Sequence, residues 1–181
     1  MIDVVLKKLD INDIELVRNW RNSSEVSKYM YTDFHISKDQ QENWFQKINN
    51  DNSCIYWIIE YENKKIGLVS ITEINSVFSS CSWAFYLGDT SLRGLGIGGK
   101  IEYKVIDYVF NVLKLNKLKC EVIVSNEKVI KMHEKFGFRR EAYYREHFIK
   151  NFEKIDVVGL ALLKSDWEII NDKIHSRIYK F

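Results

Sequence analysis

The chain has 181 residues, 46% of them hydrophobic and 29% charged, and its formal net charge at pH 7 is +2. This composition predicts a single globular domain over residues 1–181, large enough to bury a core. The weak charge gives no support to nucleic-acid binding, and no apolar run approaches the ~20 residues of a membrane-spanning helix. Cys54, Cys81 and Cys120 follow no metal-binding spacing, and the N-terminus lacks a signal-peptide core. We therefore expect a cytoplasmic protein with reduced thiols and no bound metal.

The N-terminal part of the chain begins with a strand and continues with helices. Residues 4–9 predict the strand, and Asp13 is placed to cap the helix that follows it. A second short helical stretch ends at residues 29–31. Ser37 and Gln40 have the spacing of a capping box, which predicts the start of a third helix.

Strands dominate the middle of the chain. Residues 55–61 and 65–71 predict a hairpin with its turn at residues 62–64, and residues 81–87 predict a strand antiparallel to the second of these. The segment from residue 100 to about residue 113 predicts a helix. Its apolar side chains fall on one stripe, formed by Ile101, Val105, Tyr108, Val109 and Val112.

The last third of the chain adds three strands and two helices. Residues 118–124 predict a strand, and the helix after it ends at Gly137, which suits a left-handed closing residue. Residues 138–149 and 152–163 predict a hairpin that turns at residues 150–151, and residues 166–181 predict a final helix. The order of elements predicts an α/β (α+β) fold, with a mixed sheet and helices on both faces.

A glycine-rich segment, residues 93–99, lies between a predicted strand and a predicted helix. Glycine allows close backbone approach, and a helix start offers unpaired N–H groups, so the segment predicts a phosphate or pyrophosphate site. Gly94, Gly96 and Gly99 satisfy the dinucleotide pattern G-x-G-x-x-G. That interpretation is disfavoured, because the required acidic residue, Glu121, lies too early in its strand and because several strands precede the loop.

The alternative interpretation is a resemblance to a known superfamily. Arg-Gly-Leu-Gly-Ile-Gly at residues 93–98 resembles the Arg/Gln-x-x-Gly-x-Gly/Ala motif of GNAT acyl-CoA-dependent N-acetyltransferases. Residues 126–138 resemble the superfamily's Asn-x-x-Ala-x-x-x-Tyr-Glu-Lys-x-Gly-Phe segment. The order of elements is similar to the GNAT fold over nearly the whole chain. The resemblance implies a mostly antiparallel seven-stranded sheet and acetyl-CoA as co-substrate.

The resemblance also implies where acetyl-CoA binds. The pyrophosphate would meet the backbone amides of Arg93, Gly94, Leu95, Gly96, Ile97, Gly98 and Gly99, with the Arg93 side chain supplying charge. The pantetheine arm would pair with the backbone of Phe85, Tyr86 and Leu87, where this strand diverges from the strand at residues 118–124. Asn126 would contact the cofactor, or would serve as a plain helix cap.

Three residues are implied in the chemistry. Glu121 corresponds to a general base that acts through water on the acceptor ammonium, since an amine attacks only when deprotonated. Ser70 corresponds to a serine near the leaving sulfur. His133 stands where the superfamily usually has a tyrosine that acts as general acid. A histidine can also donate a proton; alternatively, His133 is structural, and Ser70 or a water supplies the acid.

The acceptor is implied by a narrower resemblance to the acetyltransferases of pseudaminic-acid biosynthesis. It rests on residues 18–22, 30–31, 36–37, 44–45, 67–75 and 156–157. These enzymes acetylate the 4-amino group of UDP-linked 4-amino-4,6-dideoxy-N-acetyl-altrosamine. The expected partner is therefore a small nucleotide sugar rather than nucleic acid or a membrane, and its candidate contacts are Arg21, Met30, Tyr31 and Tyr86.

Other functions stay open on the sequence. Acetyltransferases of ribosomal-protein N-termini share the Arg-Asn-Trp-like first helix. A degenerate acetyltransferase fold that only binds CoA or a protein is a further alternative. The sequence also leaves the oligomeric state open, with a homodimer as one arrangement.

Overall fold

The computed structural model describes residues 3–32 and 34–179, which form one seven-stranded sheet with helices. The strands are β1 (Val5–Lys8), β2 (Ile55–Tyr61), β3 (Lys64–Asn75), β4 (Ser80–Leu87), β5 (Lys117–Ile123), β6 (Arg139–Lys150) and β7 (Glu153–Leu163). The helices are α1 (Ile14–Asn22), α2 (Ser24–Ser27), α3 (Lys38–Asn49), α4 (Ile97–Asp107), α5 (Glu127–Lys135) and α6 (Lys164–Ile178). Short 3-10 helices lie at Ile11–Asp13 and Thr90–Leu92.

The sheet is mixed and mostly antiparallel, as predicted. Its strand order is β1-β2-β3-β4-β5-β7-β6, and β4 with β5 is the parallel pair in it. Side chains that alternate along a strand point to opposite faces of the sheet. In β2 and β3, Ile59 and Val69 therefore pack in the cluster with α4, α5 and α6, whereas Ile58 and Leu68 pack in the cluster with α1 and α3. Helices cover both faces.

The parallel pair of strands separates part-way along its length. Pairing between β4 and β5 ends at Ser82 and Lys119. Beyond that point, residues 83–87 of β4 pair with β3 alone, and residues 120–123 of β5 pair with β7 alone. The space between these two stretches, called here the strand gap, has the divergence that the superfamily resemblance implies.

Several sequence-based boundaries differ from the structure. The helix predicted from residue 100 begins at Ile97 and continues at its end into a π-helix, Tyr108–Val112. A π-helix shifts the phase of the apolar stripe, so Val112, expected in the core, is 59% exposed. The terminal hairpin turns at residues 151–152 rather than 150–151, and the last helix begins at Lys164.

Asp13 occupies the N-cap position of α1, as predicted, but its side chain makes no capping hydrogen bond there, whereas the capping box at Ser37 is confirmed. Asp10 starts the first helical segment by accepting the Asn12 N–H at 2.9 Å. Asp13 is instead buried, where it accepts the Asp10 N–H and pairs with Lys65. This ion pair joins the first helical segment to β3. Within the described parts of the chain, no helix is long and apolar enough to cross a membrane.

Candidate active site

The glycine-rich segment forms the start of α4. Gly94 and Gly96 have φ of 88° and 78°, a left-handed conformation that favours glycine. A Cβ on either residue would meet no atom within 4 Å, so backbone conformation rather than crowding requires glycine there. The carbonyl of Gly96 accepts the N–H groups of Gly99 and Lys100. The amides of Ile97 and Gly98 precede this first helical bond and can donate to an anion.

The Arg93 side chain connects this segment to α2. Its Nη2 donates to the Glu25 carbonyl at 3.1 Å, and its Nη1 lies 3.6 Å from the Glu25 carboxylate. Both side chains are partly exposed, and pairs of this kind contribute only ~0–1 kcal/mol. The contacts with Glu25 therefore hold Arg93 near the helix start only weakly, and a bound phosphate can replace Glu25 as its partner.

Asn126 lies at the opposite side of the strand gap, where β5 leads into α5. Its backbone carbonyl accepts the N–H groups of Val129 and Ile130, but its side chain makes no capping hydrogen bond. The side-chain amide of Asn126 therefore does not act as the helix cap that the sequence left as an alternative.

Glu121 extends from β5 on the face of the sheet opposite to α5. Its Oε2 accepts the Tyr31 hydroxyl at 2.7 Å. The Tyr31 ring packs against Phe148 of β6, with 4.6 Å between ring centroids. Burial and the neighbouring carboxylate raise the pKa of Tyr31, so the phenol stays protonated and continues to donate to Glu121. The structure thus brings together two residues that are 90 positions apart.

Lys150, at the end of β6, fixes the backbone that carries Tyr31. Its side chain is buried, and its Nζ donates to the carbonyls of Ser27 and Met30 at 2.6 Å and of Thr32 at 3.2 Å. The segment 27–32 is thereby held against the sheet. No sequence pattern indicates this role, since a lysine beside a hairpin turn is usually solvated.

His133 is buried beneath the strand gap, with 3% of its surface exposed. Its Nδ1 lies 2.8 Å from Oε1 of Glu102, a residue of α4 with no exposed surface. Burial acts to lower the pKa of His133, but the Glu102 charge and hydrogen bonds with Cys120 and Glu102 outweigh it and raise the pKa to about 10. Burial also raises the pKa of Glu102. The raised pKa values of His133 and Glu102 both favour a pair that keeps the proton between the two side chains. We assign this proton to the imidazole.

A cavity of about 330 Å³ lies between α1, α3 and the sheet, and is called here the α1–α3 cavity. It contains the predicted residues Ser70, Phe85, Arg21, Met30 and Tyr86. Its other described lining residues are Val17, Thr32, Phe34, Ile36, Gln40, Gln41, Trp44, Tyr56, Leu68 and Ala84. Tyr31, predicted beside Met30, instead contacts Glu121.

Three polar atoms of this cavity are buried without a hydrogen-bond partner among the described residues. They are Nε of Arg21, Nε2 of Gln41 and the hydroxyl oxygen of Tyr86. Arg21 is otherwise held by a 2.9 Å bond from Nη2 to the Thr32 hydroxyl. Burial raises the pKa of Tyr86, so its hydroxyl is a donor at neutral pH. An unpaired buried donor costs ~1–3 kcal/mol, which a ligand with suitable acceptors would recover.

Sequence reasoning missed Gln41 and Glu102 as well as Lys150. A signal for the first two exists in the helical periodicity. Gln41 precedes Trp44 and Phe45 by three and four positions, and Glu102 has the same spacing to Val105 and Ile106. Each is a polar residue on the apolar face of its helix, which is where a functional polar group is expected.

Comparison with known proteins accounts for this arrangement. The family profile described as an acetyltransferase (GNAT) domain matches residues 3–139. The chain belongs to the GNAT acetyltransferase family. It is therefore an acetyl-CoA-dependent N-acetyltransferase.

Two relatives and one solved structure cover most of this acetyltransferase. A spermidine N(1)-acetyltransferase from Vibrio cholerae is 27% identical over 165 residues, covering 91% of this chain and 95% of the relative. The acetyltransferase PseH from Campylobacter jejuni is also 27% identical, over 159 residues, covering 88% and 91%. The crystal structure of the Vibrio cholerae spermidine N-acetyltransferase in complex with CoA and spermine has a TM-score of 0.86 at 27% identity, covering 92% of this chain and 98% of that one.

Among the described residues, no group of His, Cys, Asp or Glu side chains could hold a metal ion.

Proposed function

We propose that the enzyme acetylates the 4-amino group of a UDP-linked amino-dideoxy sugar of the pseudaminic-acid type. The observation that carries this proposal is the chemistry of the α1–α3 cavity. Among its described lining residues none is acidic and one is arginine. Three buried donor atoms have no hydrogen-bond partner among the described residues. Phosphate, hydroxyl and carbonyl oxygens of a nucleotide sugar would satisfy such donors.

Spermidine is the main competing acceptor, because the Vibrio cholerae relative is named for it. A polyamine presents several ammonium groups, which need carboxylates or carbonyl oxygens around them. The described walls of the cavity instead offer Arg21, amides and aromatic rings such as Trp44 and Tyr56. This charge balance favours an oxygen-rich acceptor over a polycation.

The roles proposed for the reacting residues follow from their positions. Glu121 accepts a proton from the acceptor ammonium, directly or through water, while Tyr31 fixes the orientation of the carboxylate. The amine nitrogen forms a bond to the acetyl carbonyl carbon, the bond from that carbon to sulfur breaks, and the nitrogen releases its second proton to water to give the neutral amide. His133 supplies a proton to the departing thiolate. Ser70, whose Oγ lies 3.5 Å from the Ala84 carbonyl, lines the cavity beside β4 and would polarise the reacting groups.

Acetyl-CoA supplies the activated acetyl group, and the chain offers a matched surface for it. The amides at residues 93–99 would hold the pyrophosphate, with Arg93 exchanging Glu25 for phosphate. The backbone of residues 85–87, at the edge of the strand gap, would pair with the pantetheine arm. The uncommitted side-chain amide of Asn126 would make a further contact.

The experiment that tests this proposal is a thiol-release assay with acetyl-CoA and a panel of acceptors. The panel contains UDP-4-amino-4,6-dideoxy-N-acetyl-altrosamine, spermidine and a peptide with a free N-terminal alanine. We expect turnover with the nucleotide sugar at a kcat/KM at least tenfold above the others. Turnover with spermidine alone, or with the peptide alone, would replace the proposed acceptor. Tight acetyl-CoA binding without turnover on any amine would indicate a CoA-binding module.

A further inference from the structure

The Glu102–His133 pair is an unusual group to place in an apolar core. Glu102 has no exposed surface, and its second oxygen, Oε2, has no hydrogen-bond partner among the described residues. The surrounding cluster includes Ile101, Val105 and Phe138. Taking a carboxylate out of water costs several kcal/mol, and apolar side chains of similar volume often pack as well or better. Packing alone therefore gives no reason for the pair.

The position of the imidazole does give one. Trp83 and Cys120 are the first residues of β4 and β5 beyond the last paired positions, Ser82 and Lys119. The His133 ring lies 5.3 Å from the Trp83 ring, measured between centroids, and is near enough to the Cys120 thiol for that group to raise its pKa. His133 thus contacts both strands at the point where they separate, which is the vertex of the strand gap.

We propose that Glu102 is a positioning residue, which orients the His133 imidazole through Nδ1 and keeps it protonated so that the other ring nitrogen serves the leaving thiolate. This inference rests on the proposed acid role of His133. A carboxylate that holds the far nitrogen of a catalytic imidazole fixes both its tautomer and its direction. Glu102 itself touches no reacting atom.

Charged and titratable groups reach this site from three elements. Glu102 belongs to α4 and Cys120 to β5, and the charge of Arg177, on α6, acts on Glu102. Because several such groups surround the imidazole, the test includes a measurement on the His133 ring itself.

The test compares Glu102→Gln with the unmodified enzyme. We expect kcat to fall about 10–100-fold, in line with loss of a partner that orients a functional histidine. The upper limb of the kcat–pH profile should move from near pH 10 toward the ordinary histidine range, and acetyl-CoA affinity should change less than twofold. Glu102→Met, which replaces the charge with an apolar chain of similar length, keeps the test valid if the glutamine variant does not fold. Asp107→Asn, on the same helix, is the control.

A double-mutant comparison and an activity-independent readout complete the design. In a His133→Asn background, Glu102→Gln should change kcat less than twofold, because no imidazole remains to be oriented. Nuclear magnetic resonance titration of the His133 ring should show a pKa that falls in Glu102→Gln, whichever acceptor the enzyme uses. If no acceptor is acetylated, the proposed function fails while this titration still decides the protonation of the pair. A lower melting temperature with unchanged pH profile and ring pKa would overturn the inference.

Discussion

Replacement of Lys150 by methionine is expected to weaken acceptor binding while leaving acetyl-CoA binding intact. The Lys150 ammonium donates to the carbonyls of Ser27 and Met30 at 2.6 Å each. At ~1.5 kcal/mol for each hydrogen bond to a charged group, these two bonds contribute ~3 kcal/mol to the placement of segment 27–32. At 1.4 kcal/mol per tenfold change, loss of this energy alone corresponds to a roughly 150-fold rise in the acceptor KM. Water solvates the released carbonyls, so we expect a rise of about 10–100-fold.

The assay for Lys150→Met is steady-state thiol release with varied acceptor, combined with calorimetric titration of acetyl-CoA. The acetyl-CoA Kd should stay within twofold, because the three carbonyls that Lys150 Nζ contacts belong to segment 27–32 and not to the proposed acetyl-CoA site. Lys154→Met is the matched control: this lysine lies just beyond the same turn, is 61% exposed and pairs only with the exposed Glu146 among the described residues. An unchanged acceptor KM in Lys150→Met, or an equal rise in Lys154→Met, would refute the reasoning.

Four further substitutions probe the site and its protonation. Glu121→Gln should lower kcat by about 100-fold or more with little change in acetyl-CoA Kd, as expected for loss of a general base. Unchanged turnover would exclude Glu121 from the mechanism. Tyr31→Phe should lower kcat by a smaller factor, since only the 2.7 Å bond to the carboxylate is lost. Gly96→Ala should cost ~1–2 kcal/mol of backbone strain at φ 78° and weaken acetyl-CoA binding in calorimetry, and unchanged affinity would argue against the amide cradle. The pKa of His133 is raised from its ordinary ~6.5 to about 10, so the folded state binds more protons than the unfolded state across this range. The free energy of unfolding from urea titrations should therefore fall as the pH rises from 6.5 to 10, and should fall less in His133→Asn.

The features that could be predicted from the sequence are those set by local pattern. The left-handed glycines, the capping box at Ser37 and the seven strands each follow from a few neighbouring residues, and the structure places them close to their predicted bounds. The π-helix after α4 could not be predicted, because residues 100–113 have an apolar period that suits an uninterrupted α-helix. The absence of a capping hydrogen bond from the Asp13 side chain could not be predicted for a related reason, since its partner, Lys65, is 52 residues away.

The two proposed sides of the candidate site also differ in how far apart in the sequence their residues lie. Its proposed acetyl-CoA side is made mainly of backbone, from residues 85–87 and 93–99, so a short glycine pattern is enough to indicate it. Its proposed acceptor side depends on side chains brought together across the fold, such as Tyr31 with Glu121, 90 residues apart, and Lys150 with Ser27, 123 residues apart. A few substitutions in segment 27–32 or on α3 would change the charge of the α1–α3 cavity without disturbing the backbone cradle. Identity of 27% to a spermidine N(1)-acetyltransferase is therefore compatible with a different acceptor for this chain, because the residues that set the acceptor are few and lie outside the backbone cradle.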